Sequence, residues 1–161
     1  MQTRIISAFP GTGKSHYTQN NNIKYNCLDS DSSKFSWVLD SDENKIRNPE
    51  FPENYISHIK ENVGKYDFIF VSTHHEVRKA LLKHCIFFYL IYPAEHNKDQ
   101  YIQRYIDRGS PDAFIKLLDE NWDTWIKECE FTEIGCKRIQ MVFDYIESEI
   151  SHIVCSENGE I

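Results

Sequence analysis

The chain reads as one α/β domain built on a parallel sheet with helices on both faces, and three observations predict it. Candidate strands alternate with candidate helices along nearly the whole length. Two of the strands, Phe68-Ile69-Phe70-Val71 and the run from Ile86 to Tyr92, are apolar at every position, as strands covered on both faces are. The first strand passes directly into a glycine-bearing turn and then a helix. Length agrees, since 161 residues suit a single domain with a sizeable core.

Each element has its own justification. Thr3 to Ala8, centred on Ile5-Ile6, forms the first strand, and a helix follows from Lys14 to Asn20, ending in the polar cluster Asn20-Asn21-Asn22. Tyr25 to Leu28 is the second strand, stopping at Asp29. From Ser30 to Pro52 the chain is rich in Ser, Asp, Asn and Pro and reads as irregular, with Phe35 and Trp37 embedded in it. Residues 53–63 place Tyr55, Ile56, Ile59 and Val63 on one helical face, with Gly64 as a stop. Asp67 to Ser72 is the third strand, and His75 to His84 a helix carrying Val77, Leu81 and Leu82. The fourth strand, 86–92, ends at Pro93. Asp99 to Arg108 is helical with Tyr101, Ile102, Tyr105 and Ile106 inward. After Gly109-Ser110-Pro111 a longer helix reaches about Cys129, its buried stripe Phe114, Leu117, Leu118, Trp122, Trp125 and Ile126. Lys137 to Val142 is a fifth strand, Asp144 to His152 a last helix, and the tail from Ser156 frays.

Composition excludes several classes. Ten Phe, nine Tyr and three Trp are more than a disordered chain carries. A net charge of −7 and a pI near 5.5 argue against a broad nucleic-acid surface while leaving room for a small basic site. Cys27, Cys85, Cys129, Cys136 and Cys155 are odd in number and form no C-x-x-C pair, so neither a disulfide framework nor a zinc site is suggested. No signal peptide or membrane-length apolar run is seen, so a cytoplasmic protein without membrane contact is expected.

The chemistry-bearing pattern is Ala8-Phe9-Pro10-Gly11-Thr12-Gly13-Lys14-Ser15, between a strand and a helix. Gly11 and Gly13 let the backbone curl with its N–H groups facing an anion. Lys14 reaches terminal phosphates, the Ser15 hydroxyl helps hold Mg²⁺, and Pro10, Thr12 and His16 complete the nucleotide contact. The helix start adds the positive end of its dipole. Ala8 stands where glycine is commoner in this pattern. Asp29-Ser30-Asp31 falls at the carboxyl end of the second strand, where open parallel sheets bind ligands. Its carboxylates suit metal anchoring and proton acceptance, or else a polar turn capping a helix.

Arg104 and Arg108, four apart, share a helix face. They suit neutralisation of a transferring phosphoryl group, or else a solvated face paired with Asp107 or Asp112. Arg47 reads as a holder of an acceptor phosphate or as a surface residue. Phe35 and Trp37 are stacking candidates for a base, with core packing preferred for Phe35. Ser72, Thr73 and Arg78 follow the third strand into the same crevice. Adjacent His74 and His75 point different ways on a helix and make a poor metal pair.

With these motifs the chain resembles the small P-loop kinases, the group of nucleoside monophosphate kinases and shikimate- and gluconate-type kinases, from residue 1 to about 150. The loop at 8–15 is the specific part. The resemblance implies a three-layer P-loop NTPase fold, a five-stranded parallel sheet of order 2-3-1-4-5, and ATP with Mg²⁺. It further implies an acceptor segment over 30–66 and a lid over 94–112. Asp29 and Ser15 would serve the metal, Asp31 the acceptor hydroxyl, and Lys14, Arg104 and Arg108 the transferring group. The Asp-x-Asp pair is also similar to that of polynucleotide kinases. Departures stand beside the likeness: no glycine-rich acceptor turn and no Gly-Phe-Pro-Arg follow the third strand, and no Asp ends it. Asp29-Ser30-Asp31-Ser32-Ser33 ahead of Phe35-Ser36-Trp37 looks like nucleotide-kinase-like proteins of bacteriophages, which would act in the host cytoplasm. Some of those phosphorylate a hydroxymethylated pyrimidine within DNA. Three functions are therefore expected to compete: a kinase of a nucleoside or nucleotide, a kinase acting on DNA, and a regulatory nucleotide-binding module without turnover.

Overall fold

In chain order the elements are β1 (Arg4–Ala8), α1 (Lys14–Asn20), β2 (Cys27–Asp29), α2 (Ser33–Ser36), β3 (Trp37–Leu39), β4 (Lys45–Arg47) and α3 (Glu53–Asn62). Then come β5 (Phe68–Val71), α4 (His75–Lys83), β6 (Phe88–Tyr92), a 3-10 turn at Glu95–Asn97, α5 (Lys98–Asp107), α6 (Asp112–Glu130), β7 (Cys136–Gln140) and α7 (Ile146–Asn158). This is a computed structural model, and it describes residues 2–20, 24–132, 134–141 and 145–158. Asn21 and Asn22 of the expected polar cluster, Val142 and Asp144 at expected element ends, and the tail beyond residue 158 lie outside the described residues.

Five strands form one parallel sheet in the order β2-β5-β1-β6-β7, with Ile5 beside Ile69 and Ile6 beside both Phe70 and Tyr89. Successive side chains of a strand leave on opposite faces, so an all-apolar strand feeds two cores at once. Ile5, Ile69, Val71, Phe88 and Leu90 pack with α3, α4, α5 and α6. Ile6, Ala8, Phe68, Phe70 and Ile91 pack with Tyr17 of α1 and Ile146, Ile150 and Ile153 of α7. β1 and β5 are neighbours, yet α1 leaves β1 toward one face and α4 leaves β5 toward the other. Such a divergence opens a crevice beyond the strands' carboxyl ends. Among the described residues no helix is long and apolar enough to cross a membrane.

Several expectations change. The stretch 30–52 is not irregular: it holds α2 and an antiparallel hairpin pairing Trp37 with Arg47, Val38 with Ile46 and Leu39 with Lys45. All six hairpin residues are exposed, so no alternation of buried and exposed positions marks the strands in the sequence. Val63 is half-exposed because the chain turns extended there, at the C-cap of α3, ahead of Gly64 with φ +87°. Phe87, Ile106 and Leu117 are also exposed: Phe87 precedes β6, while Ile106 and Leu117 lie at the edges of their helices' apolar stripes. Far from fraying at Ser156, α7 continues, and the Glu157 carboxylate accepts hydrogen bonds from Arg4 Nε (2.6 Å) and Tyr89 Oη.

Candidate functional site

The crevice is a cleft of about 1480 Å³, walled by the glycine-rich loop, the ends of β2 and β5, the hairpin and α5. The volume exceeds the roughly 300–1,000 Å³ typical of a single small-ligand pocket. The loop at 8–15 is shaped by its two glycines. Gly11 has φ +83° and Gly13 φ +94°, left-handed conformations that side chains disfavour. A Cβ on Gly11 would lie 3.0 Å from Tyr101 and 3.1 Å from Tyr105, and one on Gly13 would lie 3.1 Å from Tyr145. Thr12 turns inward: its Oγ1 donates to Phe9 O (2.8 Å) and its carbonyl accepts from Ile146 N–H (3.0 Å), tying the loop to the start of α7. The amides of Gly11, Gly13, Lys14, Ser15 and His16 donate to no acceptor among the described residues. They are the donors an incoming anion meets.

Lys14 folds back over this loop, its ammonium donating to Ala8 O (2.6 Å) and Phe9 O (3.2 Å). Burial pushes its pKa down to about 8, with Arg108 adding to the shift and Asp29 and Asp31 opposing it. Ser15 Oγ donates to Asp29 Oδ2 at 2.6 Å, so two hard oxygens stand together beside the loop. Among the described residues no group of three or more His, Cys, Asp or Glu could hold a metal, which leaves Ser15 and Asp29 as an incomplete pair of donors. Mg²⁺ is a cation that such an incomplete pair could hold, since it usually keeps several waters.

Asp31 lines the same cleft, and its carboxylate accepts from Ser33 N–H (2.9 Å) and Ser33 Oγ (2.7 Å). Asp31 thus closes a local turn onto Ser33 just ahead of α2, whose N-cap is Ser32, and stays exposed in the cleft. Arg104 is not a solvated surface residue: Nη1 donates to Gly11 O (3.1 Å), and its guanidinium sits 4.5 Å from the ring centres of both Tyr101 and Tyr145. Arg108 lies over Tyr105 (5.4 Å) and faces the cleft, with no carboxylate within ion-pair distance among the described residues.

Other predicted residues divide. Trp37 lines the cleft, 42 % exposed, with Arg47 and Lys45 over its ring at 5.4 and 5.2 Å. Arg47 also covers Phe51 (4.4 Å) and is ion-paired with Glu76. Phe35 does not line the cleft; its ring packs on Tyr55 (5.1 Å) and His58 (4.8 Å), the core alternative. Arg78 borders the cleft but is buried, with its donors spent on Thr73 O, Glu128 O (3.3 Å) and the Glu128 carboxylate (3.5 Å). It braces the Thr73 turn against α6. Ser72 Oγ and Ser30 Oγ are buried without partners among the described residues. Tyr55 Oη donates to the Ser30 carbonyl (2.6 Å) just beneath them. Burial, then Arg47, Arg78 and Lys14, lowers the pKa of His74, which disfavours its charged form.

Sequence reasoning missed Tyr145 and Glu76. Tyr145 follows β7 at the carboxyl edge of the sheet, so the rule that placed Asp29 also reaches it. Glu76 carries no such signal, because only folding brings α4 against β4. No protein-family model matches the chain, and no curated protein matches it significantly.

Proposed function

We propose that the protein is a P-loop kinase, an enzyme that moves the γ-phosphoryl group of ATP to a nucleoside or nucleotide acceptor. The observation that carries this is the loop itself: five undonated amides and a lysine, held by two left-handed glycines at the carboxyl end of the central strand. Counting parallel strands alone, their order is 2-3-1-4-5, which supports the same reading. The loop amides and Lys14 would take the β- and γ-phosphates, with Arg104 and Arg108 closing from α5. Ser15 and Asp29 would hold Mg²⁺, which when bound would supply positive charge to offset the phosphates. The acceptor oxygen attacks the γ-phosphorus in line, the bond to the β-phosphate oxygen breaks, and Asp31 receives the hydroxyl proton. Hydrogen bonds accepted from Ser33 orient the carboxylate.

A screen with labelled ATP over nucleosides, monophosphates, small hydroxylated metabolites and modified-base DNA tests the reading. Transfer to any acceptor that disappears in Lys14→Ala is the expected result. Tight ATP binding with no transfer would favour a regulatory module instead. A second reading, a kinase acting on DNA, draws on the exposed hairpin, where two cations lie over an indole at the cleft rim. It predicts turnover with an oligonucleotide and a steep loss of affinity with salt.

A further inference from the structure

We infer that the acceptor group enters the cleft as an uncharged alcohol, with no phosphate of its own in the acceptor half. The inference rests on the phosphotransfer reading and concerns how charge is divided along one cleft. At the loop end, Lys14 is bonded only to carbonyl oxygens, and Arg108 has no carboxylate within ion-pair distance among the described residues. Those two cations await an anion. At the hairpin end the two arginines that line the cleft are already answered: Arg47 is paired with Glu76, and Arg78 is buried against Glu128, while Lys45 stands over the Trp37 ring and does not line the cleft. Asp31 adds a negative charge between the two ends.

A phosphomonoester placed beside Trp37 and Ser72 would therefore meet a neutral-to-negative wall and have to displace Glu76 from Arg47. Desolvating a dianion without a free cation is costly, whereas a hydroxylated or amide-bearing group is not so penalised. What the wall does offer is polar and neutral: the hydroxyls of Ser30 and Ser72, buried and without a hydrogen-bond partner among the described residues, with the Tyr55 hydroxyl holding the Ser30 carbonyl. Buried hydroxyls without partners are rare in folded proteins, and a serine side chain turns toward a ligand by one rotamer change. Trp37 contributes a flat apolar surface, which suits a nucleoside-like ring.

Two sources share this chemistry: a free nucleoside or polyol, and a base hydroxyl on a nucleic-acid strand whose phosphates remain outside. The test first measures binding of ATP with Mg²⁺ by calorimetry, then compares kcat/KM for nucleosides, their 5′-monophosphates, and an oligonucleotide carrying an interior hydroxymethylated base. The expected result is a preference of at least about 10-fold for an uncharged acceptor over its monophosphate, the oligonucleotide arm deciding the source. Glu76→Gln frees Arg47 and is expected to narrow that preference about 10-fold, leaving ATP affinity as it was. A preference for monophosphates, or a Glu76→Gln variant with the wild-type preference, overturns the inference while the kinase reading stands. Absence of ATP binding overturns both.

Discussion

Lys14 illustrates how one side chain couples burial to ligand chemistry. Its ammonium is drawn out of water onto two carbonyls, and its pKa falls from 10.5 to about 8. The folded chain thus releases this proton first. Between about pH 8 and 10.5 the unfolded chain binds more protons, so Lys14's contribution to stability rises with pH there. A bound phosphate reverses the local field and restores the proton. ATP affinity is therefore expected to be flat below pH 8 and to fall above it, with net uptake of up to one proton, read by calorimetry in buffers of different ionisation enthalpy. Lys14→Ala is expected to lower kcat by about 10²–10³ while the circular dichroism spectrum stays unchanged.

Asp31 lends itself to a cleaner separation. An asparagine keeps an oxygen for the Ser33 amide but loses the charge, so Asp31→Asn should preserve the fold and ATP affinity and depress kcat sharply. Unaltered turnover would remove Asp31 from the proton path. Asp29, bonded to Ser15, should behave differently: Asp29→Asn is expected to raise the Mg²⁺ concentration needed for half-maximal activity.

At the scale of elements, the division between rigid and adaptable parts follows burial. Helix α6 is anchored by Trp122, fully buried against Phe9 and Tyr101, with its indole N–H donating to Glu95 O at 2.7 Å. Trp122→Ala is expected to cost about 3–5 kcal/mol in urea denaturation, because a cavity opens directly beneath the glycine-rich loop. The hairpin is the opposite case. Three-residue strands with every side chain exposed gain little from packing, and a lone hairpin is marginal in water. Trp37→Ala should accordingly leave thermal stability within a degree or two while weakening acceptor kcat/KM about 10-fold.

For the molecule as a whole, the loop is bound into both cores: Phe9 on one face, Ala8 on the other, and Thr12 to the start of α7. Ligand binding there should stabilise the domain as one unit. At about 100 times its Kd, ATP adds about 2.7 kcal/mol, a rise in Tm of roughly 5–10 °C for a domain of this size. Differential scanning fluorimetry with and without Mg²⁺ checks this, and Lys14→Ala should abolish most of the shift.

Apolar patterning placed β5, β6 and helices α3 to α6, because their apolar residues recur at the spacing of a strand or helix that must be covered, whereas α1 was placed by the loop before it. The turn at residues 8–15 was legible for a similar reason: left-handed backbone needs glycine, and Gly11 and Gly13 supply it. Tertiary structure decided what those local rules cannot reach. Whether Phe35 faced ligand or core depended on Tyr55 and His58, 20 and 23 residues further along the chain. Arg47 acquired Glu76 as its partner only when α4 met β4. Spacing along a chain reports which face a residue shares with its near neighbours; the charge opposite it is set by packing between elements distant in sequence.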